Sequence, residues 1–341
     1  MDEQVVINEP EKINIDKLIT KDFGKDVIRN GNAIIDNDLQ TIPLSPQLDI
    51  ILGGGIIEGS TVTLTGPPKC GKTLTCLDFS ATCQKEEFGN REIYYLNIEG
   101  RLKRRDLEGI NGLNMEKFHV IGSTKGNILS AEKYLSIAER YLNNQEKCVI
   151  IIDSYSDLCT DVELTSSLDK MQRCDVNKLI AKFCRRVSNV VPVTKSIVLG
   201  ITHLMGNPSG YGPSLVEKSG NAIAYRVDFK LRAKSFKEWK VNEKIIGIMV
   251  DWKCLSTGST TPPLQVATSY LRFGTGIDNV YETLTLAVDV GIIQKGGAWY
   301  TYVDNNGEVQ KIQGLEKLRT FFVKDPSLYE KLCGQVKEML V

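Results

Sequence analysis

Gly66-Pro67-Pro68-Lys69-Cys70-Gly71-Lys72-Thr73 follows the short apolar run Thr61-Val62-Thr63-Leu64 and leads into a helix-length segment, Thr73–Glu86. The octet satisfies G-x-x-x-x-G-K-S/T at every fixed position, in the strand-then-helix setting that the motif requires. The spacing has a chemical reason. Glycines let backbone N–H groups turn inward around phosphates, and the helix that follows offers its N-terminal donors and the positive end of its dipole. Lys72 is expected to set a point charge against β- and γ-phosphates, and the Thr73 hydroxyl to ligate Mg²⁺. The expected ligands of the octet are therefore ATP and Mg²⁺. The competing reading, a glycine-rich turn without a ligand, leaves Lys72 and Thr73 unexplained.

Outward from this stretch the same texture repeats. Ile93–Ile98, Val149–Ile152 and Ile197–Ile201 are short, rich in β-branched or aromatic residues, and apolar on both faces, as buried parallel strands are. Helix-length segments lie between them, among them Ser130–Leu142 and Cys174–Val187. The alternation predicts an α/β fold, a mostly parallel central sheet flanked by helices, with ligands beyond the carboxyl ends of the strands. After Tyr225, the runs Val227–Leu231, Lys244–Trp252 and Leu264–Phe273 read as antiparallel extensions of that sheet. From Ile277 the chain reads as a small α-rich module with a hairpin over Tyr300–Val309, centred on Asn305-Asn306-Gly307. Residues 1–44 are polar and mixed. Ile13–Ile28 has room for one or two short amphipathic helices before Asn30-Gly31-Asn32 breaks the pattern.

The chain has 341 residues, enough for one core of about 200–250 residues with small flanking parts. Lys plus Arg (42) equals Asp plus Glu (42), so a nucleic-acid surface would have to be a local stripe. Nine scattered Cys, without a CxxC pair, speak for reduced thiols rather than a disulfide framework or zinc ribbon. The acidic, polar start and the lack of a long apolar run predict a soluble, cytoplasmic protein with no membrane partner.

Two carboxylates complete the expected site. Val149-Ile150-Ile151-Ile152-Asp153 is four apolar residues ending in an acid, the form in which Asp153 would hold Mg²⁺ through water. Ile93-Tyr94-Tyr95-Leu96-Asn97-Ile98-Glu99 ends in a carboxylate suited to orient the water that attacks the γ-phosphate. The alternatives are a helix cap for Asp153 and a solvated strand end for Glu99. Ile197–His203 is a fourth strand with a polar terminus, where His203 could report on the γ-phosphate.

Four strands ending, in chain order, at the octet, Glu99, Asp153 and His203 resemble the superfamily of RecA-type DNA recombinases and hexameric helicases. Leu44-Ser45-Pro46-Gln47-Leu48-Asp49-Ile50-Ile51-Leu52-Gly53 resembles the lead-in of the RecA family, and Gly297-Ala298-Trp299-Tyr300 is similar to the start of the bacterial C-terminal module. His203 stands where bacterial members carry Gln and phage recombinases of the UvsX type carry His. The second glycine of the octet leaves the subfamily open. The resemblance implies a RecA-like ATPase core at 45–276, an N-terminal polymerisation segment at 1–44 and a C-terminal module at 277–341. It also implies an ATP site shared between protomers, with Lys253 or else Lys244 contributed by the neighbour and Phe273 near the adenine. Asp251 takes the place of one of the family's two lysines in that region.

By position, the first of the family's two DNA-binding loops is Thr160–Arg173, with Lys170 and Arg173. Lys178, Lys182, Arg185 and Arg186 lie on the helix beyond, where the spacing 178/182/185 puts basic groups on one face; an ordinary solvated face is the alternative. The second loop is Gly206–Gly220, rich in Gly, Pro and Ser, with Lys218 for phosphate and Tyr211 or Leu215 as a wedge between bases. Gly220-Asn221-Ala222 resembles the family's closure of that loop, where backbone N–H groups meet phosphates. The implied function is an ATP-dependent recombinase that forms helical filaments on single-stranded DNA and exchanges strands with a homologous duplex. Single-stranded-DNA-binding and mediator proteins are the implied partners. A hexameric helicase and a regulatory paralogue are the alternatives, and a phage origin would put the protein in the host cytoplasm.

Overall fold

The structure is a computed structural model that describes residues 14–35, 38–167, 176–207, 214–218, 223, 226–259, 261–304 and 307–340. Lys170, Arg173, Tyr211, Gly220 and Asn221 lie outside the described residues. The chain forms two compact units, residues 1–39 and 40–341.

The first unit contains α1 (Ile15–Phe23) and the short α2 (Asn32–Ile35). Asn14 caps α1 by accepting from Lys17 N at 3.1 Å, and Asp16 and Lys21 complement the helix dipole at its two ends. Ile15, Leu18 and Phe23 remain exposed.

The second unit opens with β1 (Thr41–Ile42), α3 (Pro46–Leu52) and β2 (Ile56–Ile57), and β1 pairs with β2. Residues 40–44, the end of the segment 1–44, thus fold with this unit. The main sheet follows. It draws on β3 (Thr61–Gly66), then, after α4 (Lys72–Cys83), on β4 (Ile93–Asn97). After α5 (Arg104–Glu108) comes β5 (Phe118–Ile121), and after α6 (Ala131–Asn144) comes β6 (Val149–Asp153). Three helices, α7 (Asp161–Thr165), α8 (Val176–Val187) and α9 (Val190–Thr194), lead to β7 (Ile197–Gly206) and β8 (Leu215–Glu217). The sheet ends with β9 (Phe229–Val241), β10 (Lys244–Ser256), β11 (Val266–Arg272) and β12 (Gly276–Ile277).

Among the described residues the strand order is β12-β11-β10-β9-β3-β7-β6-β4-β5, with β8 paired to β7. From β9 to β5 the neighbours run parallel, and from β9 to β12 antiparallel. This is the expected α/β architecture. The two-residue period of the strands divides the core. Ile93, Tyr95, Ile151 and Leu199 pack on one face with Leu77 and Phe79 of α4. Tyr94, Leu96, Ile150, Ile152 and Val198 pack on the other with α6 and α8. In α8, Ile180, Phe183, Cys184 and Val187 form the buried stripe while Lys178, Lys182, Arg185 and Arg186 face solvent.

Two differences from the sequence reading have plain causes. β9 runs far beyond Leu231, because the buried Trp239 anchors its far end and the exposed residues 234–238 are held by pairing with β10. Asn242 and Glu243, both at positive φ, make the two-residue turn between them. β5 went unread because its middle residues, His119 and Val120, are exposed on the sheet edge.

The unit closes with α10 (Asn279–Asp289), the three-stranded sheet β13 (Gln294–Gly296), β14 (Trp299–Val303) and β15 (Val309–Gln313), then α11 (Leu315–Lys324) and α12 (Pro326–Leu340). Leu284, Tyr302, Leu318, Phe322 and Leu332 form their own core. No helix among the described residues is long and apolar enough to cross a membrane.

Candidate active site

Register sets the site. Gly66 pairs with His203, and Asn97 with Asp153, so the carboxyl ends of β3, β7, β6 and β4 lie along one edge of the sheet. The octet joins β3 to α4. Gly71, at φ 88, sits at the N-terminus of α4, and a Cβ there would come 2.1 Å from Leu271 Cδ1, so only glycine fits. Gly66, Pro67, Pro68, Lys69 and Cys70 form the loop itself, with Lys69 at φ 63 and the Cys70 side chain fully buried. The Lys72 ammonium is buried and donates to the carbonyls of Gly66 (3.0 Å) and Pro67 (2.7 Å). A phosphate would have to draw those donors away.

Thr73 Oγ1 donates to Asp153 Oδ2 at 2.8 Å, and the Tyr95 hydroxyl donates to the same oxygen. Burial pushes the Asp153 carboxyl above its ordinary range, the two hydroxyls oppose that push, and the Glu99 charge adds to it. A hydroxyl and a carboxylate on adjacent elements are the hard oxygen donors that Mg²⁺ takes, so these residues fit the ion. They line a cleft of 220 Å³ together with Tyr95, Asn97, Glu99 and Arg101.

Glu99 lies just past β4, where its backbone N donates to Asp153 O at 3.1 Å. Its Oε1 is 2.5 Å from His203 Nε2, and its Oε2 is 3.7 Å from an Arg101 guanidinium nitrogen. The His203 hydrogen bond outweighs burial and holds Glu99 below the usual carboxylate range, so the group is ionised at neutral pH. His203 is steadied by its backbone N, which donates to Ser156 Oγ at 2.8 Å. Its Nδ1 meets no hydrogen-bond partner among the described residues.

The site continues toward the second loop. Asp157 lies 3.6 Å from His203 Nε2, and its other oxygen accepts from Lys218 Nζ at 3.3 Å. Burial works against Asp157 ionising, but the Ser154 hydroxyl, Lys218 and His203 prevail and keep its carboxyl low. Lys218 N also donates to His203 O at 3.0 Å, within the β7–β8 hairpin. Glu217 next to it is paired with Lys230 at 2.6 Å and lies 3.6 Å from Arg232, both on β9. A continuous run of polar contacts therefore leads from Glu99 through His203 and Asp157 to Lys218.

Lys253 and Phe273 do not line this cleft. Lys253 is half-buried on β10 opposite Arg232, and Lys244 is exposed at the start of the same strand. Phe273 is 58% exposed. Asp251 accepts from Ser235 Oγ (2.5 Å) and Thr268 Oγ1 (2.7 Å); the Ser235 bond leads in keeping it below the ordinary range. Tyr95, Asp157, Arg101 and Glu217 were missed by sequence reasoning. Tyr95 carried a weak signal, one of two tyrosine hydroxyls in the strand next to that of Asp153.

Residues 12–278 match the family model described as the RecA N-terminal domain, and residues 281–341 that of the RecA C-terminal domain. The chain belongs to the RecA family. It is similar to Protein RecA of Phytoplasma mali, 28% identical over 329 residues that cover 94% of this chain and 92% of that one. It is 26% identical to Protein RecA of Acholeplasma laidlawii, with 94% of each chain covered, and to that of Lactobacillus johnsonii, with 94% and 86% covered. The RecA match thus takes in the octet, both carboxylates and the β7–β8 hairpin together.

Proposed function

We propose that this protein is an ATP-dependent DNA recombinase, which binds ATP and Mg²⁺ at the β3–α4 loop, polymerises on single-stranded DNA and promotes strand exchange with a homologous duplex. The observation that carries this reading is the contact run Glu99–His203–Asp157–Lys218, which connects the strand-end carboxylate to the β7–β8 hairpin, the segment this reading assigns to DNA. Family membership supports it.

Lys72 and the loop N–H groups bind the phosphates, and Thr73 and Asp153 hold Mg²⁺. The ion supplies positive charge to the phosphate oxygens. Glu99 orients water for in-line attack and takes its proton. Lys170, Arg173, Lys218 and the N–H groups near Gly220 and Asn221 contact DNA phosphates, and Tyr211 stacks on bases. A contact that differs between ATP-bound and ATP-free states is what allows one ligand to alter affinity for the other, and His203 is placed to make it. Lys253, or else Lys244, reaches the ATP site of a neighbouring protomer, and Phe273 packs near the adenine. His203 favours the phage-type branch of the family, and mediator and single-stranded-DNA-binding proteins are its proposed partners.

The test is steady-state ATP hydrolysis with and without single-stranded DNA, for the parent chain and for Glu99→Gln and His203→Ala. The parent is expected to be stimulated by DNA, Glu99→Gln to bind nucleotide without turnover, and His203→Ala to lose the stimulation. A parent chain that hydrolyses ATP at the same rate with and without DNA contradicts the reading.

A further inference from the structure

We propose that Arg101 is a further catalytic residue of this site: its guanidinium reaches the γ-phosphate from the same chain and stabilises the charge that builds there during hydrolysis. The inference rests on the ATPase reading above.

Arg101 lines the cleft with Thr73, Glu99 and Asp153. Among the lining residues it is the one cation; the charged others, Glu99, Asp106 and Asp153, are acids. A triphosphate entering such a cleft meets carboxylates that repel it, and Lys72 is engaged with its own loop carbonyls. The forked guanidinium matches phosphate oxygens in a way a point charge does not.

Arg101 is also the arginine of its segment that lines the cleft; Arg104 and Arg105 do not. Arg104 and Arg105 pair within α5, with Glu108 at 2.5 Å and with Asp106 at 3.4 Å. Arg101 stands 3.7 Å from Glu99 Oε2 with its side chain 83% exposed, too far for a hydrogen bond and open to water. Such a pair is weakly held. Gly100, at φ 64 with nothing within 4 Å of the place a Cβ would take, gives the backbone a pivot immediately before it. On nucleotide binding the guanidinium leaves Glu99 for the phosphate, and Glu99 keeps its His203 partner and turns to the water. In the reaction the water oxygen bonds to the γ-phosphorus and its proton goes to Glu99. The bond to the bridging oxygen breaks, ADP keeps that electron pair, and Arg101 stays protonated throughout.

Arg101→Ala and Arg101→Lys test this in the full-length protein on single-stranded DNA. Turnover, ADP affinity and affinity for ADP with aluminium fluoride, which mimics the transferring phosphoryl group, are all measured. The Ala variant is expected to lose about a hundredfold in kcat, to bind ADP as the parent does, and to bind ADP–aluminium fluoride at least about tenfold more weakly. The Lys variant should recover part of each loss. If kcat stays within about twofold of the parent, or if it falls while ADP–aluminium fluoride binds unchanged, Arg101 does not touch the phosphoryl group and the inference is wrong. A parent chain without ATPase activity sinks the ATPase reading itself, a separate outcome.

Discussion

Asp153 has to be buried enough to end a core strand and charged enough to hold a cation. Two hydroxyls reconcile these demands, from Thr73 at 2.8 Å and from Tyr95 on the neighbouring strand. Tyr95→Phe removes one of them, which lets burial push the Asp153 carboxyl further up. The expected outcome is a stability loss of about 1–3 kcal/mol and a higher Mg²⁺ concentration for half-maximal nucleotide binding, read by denaturant unfolding and by Mg²⁺ titration. An unchanged Mg²⁺ requirement would show that the hydroxyl does not matter to the ion. Glu99 poses the opposite case, a carboxyl kept low by His203. Glu99→Gln keeps the hydrogen-bonding shape but cannot take a proton, so kcat is expected to fall by about 10²–10⁴ while nucleotide affinity holds. Equal losses in both quantities would make Glu99 a binding group instead.

Between elements, the β7–β8 hairpin is held down by charge. Lys218 is paired with Asp157, and Glu217 with Lys230 and Arg232. Asp157→Asn releases Lys218, and the expected result is severalfold tighter single-stranded DNA binding in the absence of ATP, with a steeper salt dependence. Weaker binding would mean that the pair positions Lys218 rather than masking it. Another joint ties α4 to β12, where Ile277 N donates to Asp78 Oδ2 at 2.6 Å. Burial pushes Asp78 up to about 7, with Glu282 nearby adding to the rise. The folded state therefore keeps a proton that the unfolded chain loses near pH 4. The stability this gives is complete below about pH 4 and is lost as pH rises through about 7. Asp49, pushed up to about 8, extends the same trend. Asp78→Asn is expected to shrink the decline in unfolding midpoint between pH 4 and 7; a decline as large as the parent's assigns it to other groups. The sequence made the parallel core legible because Ile93–Leu96 and Val149–Ile152 are apolar on both faces, and made the octet legible because its chemistry is compressed into eight residues. It hid the far half of β9, whose exposed residues are held by pairing with β10, and it hid the partners Tyr95 and Asp157, because contacts across 58 or 61 positions leave no local pattern.

At the scale of the whole molecule, a recombinase is defined by what it assembles into. The net charge is zero, so under the proposed function DNA affinity would have to come from a local surface, to which the exposed Lys178, Lys182 and Arg185 of α8 would add. An assembly that is head-to-tail and does not close becomes an open helix along the DNA. The central claim is that ATP drives this polymerisation, and electron microscopy of the protein with single-stranded DNA, Mg²⁺ and a non-hydrolysable ATP analogue tests it most directly. Open helical filaments that follow the DNA, and vanish when the analogue is replaced by ADP, are the predicted result. Closed six-membered rings would contradict the account in favour of a helicase, and isolated protomers would contradict it in favour of a regulatory paralogue.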